Sequence, residues 1–202
     1  MGITIHIQGN LKDKSEINSF IEELTDISKT MHWEWQVLDE DWSQPSTAKL
    51  KRTNNITEIT GNLALKGISI NLHPKCESLS LFFDSSGCLT TPMAVVLLNE
   101  GRIKKENVYS TVKTQFTPPD VHISIIKLLK YLKKRYIPDL KVEDEGGYWE
   151  SEDKQVLTGK IKFLNEKLDM LQDMLSNMDD ENAGQRSAEQ LADIIEEKLK
   201  GL

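Results

Sequence analysis

Residues 112–150 read VKTQFTPPDVHISIIKLLKYLKKRYIPDLKVEDEGGYWE, and this stretch decides the fold. Tyr109 to Phe116 alternates as a strand does. Thr117-Pro118-Pro119-Asp120 then reads as an N-cap, a proline at the first helical position and an early acid facing the positive helix end. Val121, Ile125, Leu128, Leu129, Leu132 and Tyr136 recur at 3.6-residue spacing, which predicts a helix over 118–136 with one buried stripe. Pro138 stops it, Leu140 to Glu143 alternates as a second strand, and Gly146-Gly147 supplies a turn followed by Tyr148 and Trp149.

The runs VKTQF, PPDVHISIIKLLKYLKKRY and VEDEGGYWE resemble a family of uncharacterised bacterial proteins, over about residues 60–165. The resemblance implies a bacterial cytosolic protein and brings no activity, cofactor or catalytic residue with it.

Outward from this centre, Ile3, Ile5 and Ile7 alternate with Thr4, His6 and Gln8. Asp13 with Glu16 starts a helix to Met31 whose apolar face carries Ile17, Phe20, Ile21, Leu24 and Ile27. Trp33 to Leu38 alternates again. Residues 39–56 are polar and predict a loop, with a strand from about Ile56 to Ala64. Gly67 to His73 and Leu79 to Phe83 read as strands, and Asp84-Ser85-Ser86-Gly87 as a tight turn. Leu89 to Leu98 suits a strand or a short helix equally. After Glu150 the composition changes: Ile161, Leu164, Leu168, Leu171, Leu175 and Met178 step by threes and fours, a heptad seam. Asp179 to Ser187 is a polar break before a final amphipathic helix marked by Leu191, Ile194, Ile195 and Leu199.

Composition sets the outer bounds. Charged residues are 28% and apolar ones 38% of 202, a globular balance. The net charge of −7 argues against a dedicated nucleic-acid binder. Two cysteines, Cys76 and Cys88, are too few for a disulfide scaffold or a zinc finger, and read better as small buried hydrophobes. The N-terminus opens directly into a strand pattern with no leader-like run, and Ala94 to Leu98 is too short to span a bilayer. These features predict a cytoplasmic protein with no membrane association.

Three groups of residues are candidates for function. His6, Gln8, Asn71, His73, Lys113 and Gln115 lie on the polar sides of their strands. If those strands are neighbours, the residues share a face suited to a small anionic ligand or acid–base work, although a solvated sheet face is the preferred reading. Lys127, Lys130, Lys133 and Lys134 form a basic patch on the central helix, followed by six acids between Glu143 and Asp153. Such a patch suits an acidic partner, RNA or a membrane surface, but a solvated face partly neutralised by the acids is preferred. Ile161, Leu164, Leu168, Leu171 and Leu175 form the association seam. His73-Pro74-Lys75-Cys76 offers two metal ligands without a matching second pair, so neither metal nor cofactor is expected. His122, in the first turn of its helix, suits a catalytic electrophile or a core position, the core being preferred.

The pattern predicts an α+β fold: a mixed, mostly antiparallel sheet of about six strands with two helices on one face, over 1–152, and a C-terminal helical arm over 153–202. The expected function is non-catalytic, an interaction or regulatory protein associating with a protein partner or a second copy through the arm. The alternative is a small enzyme or ligand-binding domain using the polar face.

Overall fold

A computed structural model describes residues 2–53 and 56–176. The chain is α+β, with every strand pairing antiparallel. In order it runs β1 (Thr4–Gln8), α1 (Ile17–Met31), β2 (Glu34–Asp39), β3 (Lys49–Thr53), β4 (Ile56–Thr60), β5 (Lys66–Asn71), β6 (Leu79–Phe83) and β7 (Leu89–Thr90). There follow α2 (Pro92–Asn99), β8 (Ser110–Lys113), α3 (Pro119–Arg135), β9 (Lys141–Asp144), α4 (Tyr148–Ser151) and α5 (Lys154–Ser176). The polar break and final helix expected beyond residue 178 lie outside the described residues.

The expected single mixed sheet is three antiparallel ones, ordered β8-β1-β9, β2-β5-β6-β7 and β3-β4. The first two meet side by side: Ser110 Oγ donates to the Ser80 carbonyl at 2.6 Å, and Leu89 N donates to the Gly9 carbonyl at 2.9 Å. Both send their apolar sides into one core. Ile5 and Ile7 of β1, Ile68 and Ile70 of β5, Leu79, Leu81 and Phe83 of β6 and Val112 of β8 meet Phe20 and Leu24 of α1 and Ile125, Leu129 and Leu132 of α3. Phe20 packs edge-on against Phe83 and Tyr136, each at 5.3 Å between centroids, a geometry aromatic quadrupoles favour. Phe82 points the other way, joining Leu65, Val95, Val96 and Ala48 in a smaller cluster beneath α2.

Four local outcomes differ from the sequence pattern. Strand β3 lies inside the expected loop: Lys49-Leu50-Lys51-Arg52-Thr53 pairs with β4 in a hairpin exposed along most of its length, so no apolar alternation marks it. Leu89 to Leu98 divides into β7 and α2, with Thr91 Oγ1 accepting from Ala94 N at 3.2 Å as the true N-cap. At α3 the cap falls on Pro118, and Thr117 Oγ1 donates instead to the Thr114 carbonyl at 2.8 Å. The chain also divides later than residue 152. One compact unit runs from Met1 to Leu157 and a second from Thr158 onward. Leu157 is fully buried, and Lys154 pairs with Asp120 at 2.8 Å, so the start of α5 belongs to the first unit.

Candidate functional site

The polar face is built by strand alternation. Because Ile5 and Ile7 enter the core, His6 and Gln8 must face outward. His6 lies opposite Thr111 on β8 and Glu143 on β9, and Lys113 opposite Thr4, so His6, Gln8 and Lys113 share one side of the three-stranded sheet. Asn71 ends β5 of the four-stranded sheet, and His73, expected within that strand, lies in the turn after it: Asn71 Oδ1 accepts from His73 N, and His73 Nδ1 from Lys75 N. Gln115 is only 3% exposed, beyond the end of β8.

A shallow groove of about 240 Å³ opens beside His6, lined by Gln8, Tyr109, Lys141, Val142 and Glu143. The imidazole meets Tyr109 edge-on at 6.4 Å between centroids, and its Nε2 is 3.9 Å from Glu145 Oε1. Gln8 has its amide committed, donating to the carbonyls of Val108 (2.8 Å) and Glu106 (3.1 Å). Lys113 Nζ sits 5.7 Å over the Phe116 ring. An imidazole, a phenol and a lysine around this groove offer hydrogen bonds to a small polar molecule. Among the described residues no three His, Cys, Asp or Glu side chains converge as metal ligands.

A further polar constellation is internal. Thr114 Oγ1 and His122 Nδ1 are 2.7 Å apart, and His122 Nε2 is 3.1 Å from Asp144 Oδ1. Asp144 also accepts from Gly146 N at 2.7 Å and Trp149 N at 2.9 Å. Burial pushes the Asp144 carboxyl up, but His122 and the two backbone donors outweigh it and hold the carboxyl below the usual range. The His122–Asp144 contact is close without hydrogen-bond alignment. This hydroxyl–imidazole–carboxylate order resembles that of a nucleophile relay, yet the His122 and Asp144 side chains are both 0% exposed. No substrate can reach them. The chain of contacts instead pins the turn after β9 to the first turn of α3. His122 was legible as a core residue, but its partners were not, because they lie 8 and 22 residues away.

Two lysines of the basic patch, Lys130 and Lys133, are engaged. Lys130 pairs with Glu152, Lys133 Nζ donates to the Leu140 carbonyl at 2.6 Å, and both ammonium groups lie over Trp149, at 5.5 and 5.8 Å. Lys130, and more distantly Lys134, hold the Glu152 carboxyl below its usual range. Lys127, Lys130 and Lys134 line a cleft of about 310 Å³ with Tyr131 and Tyr148. Of the acidic segment, Glu152 therefore folds back against the basic helix, together with Trp149.

Of the seam, Ile161, Leu164 and Leu168 follow one another along α5 at steps of three and four. The side chains of Leu171 and Leu175 lie outside the described residues. Among the described residues, the exposed large apolar side chains on this helix are Val156, Phe163, Leu168 and Met170, the first, second and fourth recurring every seven residues. The sequence pattern had not singled out that second stripe, although its spacing was readable.

Comparison with family models, with curated proteins and with solved structures gave no match. No described helix is long and apolar enough to cross a membrane.

Proposed function

We propose that this chain is a non-catalytic interaction or regulatory protein of the bacterial cytosol that associates through its C-terminal helices. The observation carrying this reading is α5, which continues past Leu157 with Phe163 57%, Leu168 38% and Met170 39% exposed. Each such side chain is worth roughly 1.5–3 kcal/mol when fully buried, and a protein partner or a second copy supplies the burial. The inaccessibility of the Thr114–His122–Asp144 chain supports it from the other side. The test is retention from a bacterial lysate by the full chain and by a Leu164→Glu, Leu168→Glu double variant whose helix content is unchanged. A partner held by the first and lost by the second is expected. Equal retention, or none by either, overturns the proposal.

The groove beside His6 favours a second reading, a small-ligand-binding domain. It predicts that titration with small anions shifts the His6 ring resonances more than those of His32, which lies at the end of α1.

A further inference from the structure

Exposed sheet edges invite pairing with other strands, and proteins blunt them with charges, prolines, bulges or short strands. Most edges here are blunted in these ways. Strand β9 has four residues with Lys141 and Glu143 exposed, β7 has two residues, β3 carries Lys49, Lys51 and Arg52, and β4 has Glu58 at its centre. Strand β8 runs beside β6, tied to it by Ser110. Strand β2 is different. It pairs with β5 over six residues, Glu34 opposite Asn71 through Asp39 opposite Lys66, and with no other strand among the described residues. Its middle, Trp35-Gln36-Val37-Leu38, holds no charge, glycine or proline. Trp35 is 41% and Val37 40% exposed, on the same side of the strand.

The occupant is read from the strand itself. Antiparallel pairing of β2 with a second β2, about a two-fold axis at Gln36, sets Trp35 opposite the second copy's Val37 twice. It sets Glu34 opposite Leu38 and brings no like charges face to face. The contact is isologous and closes at two copies, where a head-to-tail strand contact would continue into a filament. We propose that two copies of this chain join through β2, two four-stranded sheets becoming one continuous eight-stranded sheet. This interface is separate from α5 and does not depend on it.

Gln36→Cys in the full chain gives the direct test. Residues facing each other across an antiparallel pair have Cα atoms about 4.5–5.5 Å apart, within disulfide reach. Mild oxidation should cross-link Gln36→Cys into a covalent dimer, while wild type, whose Cys76 is buried and Cys88 half-buried, and Glu58→Cys on exposed β4 stay monomeric on a non-reducing gel. Sedimentation velocity should find wild type dimeric and Val37→Lys dissociating at least roughly tenfold more readily. A wild type that is monomeric throughout, cross-linking at Glu58→Cys equal to that at Gln36→Cys, or a dimer that survives Val37→Lys and is lost with Leu164→Glu, Leu168→Glu would overturn the proposal. The last of these would place self-association on α5.

Discussion

Asp144 ties together several parts of the central stretch, since its buried carboxylate meets His122 and accepts from two backbone donors. Replacing the carboxylate weakens the acceptor of two backbone donors and alters the group facing a buried imidazole, and buried polar groups left poorly matched are costly. Asp144→Asn is expected to lower stability by about 1–3 kcal/mol in urea unfolding. The sign with pH follows from the lowered native pKa. Between that value and the ordinary carboxyl value near 4, the unfolded chain binds the proton more readily, so stability falls as pH falls through this window. Wild type should show this acid-side loss and Asp144→Asn should lack that component. Tyr136 presents the opposite sign. It is 1% exposed, and burial together with its hydrogen bond to Glu23 pushes its hydroxyl up to about 12. Its contribution to stability is complete below the ordinary tyrosine value near 10 and is lost as pH rises through about 12. Absorbance titration should find Tyr136 ionising late in wild type, with Tyr131 also raised by its own hydrogen bond to Glu23, and both ionising earlier in Glu23→Ala.

At the scale of elements, β5 is held between β2 and β6 more closely than most residues allow. A Cβ on Gly67 would stand 2.1 Å from the Leu81 carbonyl oxygen and 2.8 Å from Phe82 Cα, and the residue's φ is +149°. Both obstacles are backbone of the neighbouring strand and cannot swing away. Gly67→Ala should therefore cost about 3 kcal/mol or more, read as a lower urea midpoint at unchanged slope. The contrast between two Thr-Pro sequences belongs here as well. Thr91-Pro92 caps α2 because Pro92 takes the first helical position, whereas the second proline of Thr117-Pro118-Pro119 moves the start of α3 one residue on and strips Thr117 of that role. A cap motif specifies that a helix begins, and the proline count decides which residue is left to close it.

For the whole molecule, the first compact unit ends at Leu157, not where the composition changes near Glu150. Leu157 fills space beside Gly146, where an added Cβ would meet both Leu157 Cδ1 and His122 Cε1 at 2.8 Å. A chain ending at Leu157 should keep the near-ultraviolet circular dichroism of the full protein. One ending at Glu152 loses a fully buried leucine and the Lys154–Asp120 pair, and should be less stable by about 2–4 kcal/mol. The net charge of −7 is distributed in a way the total conceals. Of the five positive charges of residues 127–135, Lys130 and Lys133 meet Glu152, Trp149 and the Leu140 carbonyl and Arg135 lies over the Tyr136 ring, so the patch is partly neutralised within the fold.

The sequence by itself determined the α+β class, both long helices of the core, most strands and the outward direction of His6, Gln8 and Lys113. Each of these follows from periodicities of 3.6 and 2 within one segment. It did not reveal β3, because a hairpin wet over most of both faces has no apolar period to read. Nor did it reveal that His6 lies in one sheet and His73 in a turn beyond another, that Gln115 turns inward, or that His122 meets Thr114 and Asp144. Those facts depend on which segments become neighbours, and the chain pays the entropy of long-range closure only after its local elements exist. Side-chain direction is local physics, whereas side-chain company is decided by strand order and helix docking, which only the tertiary structure supplies.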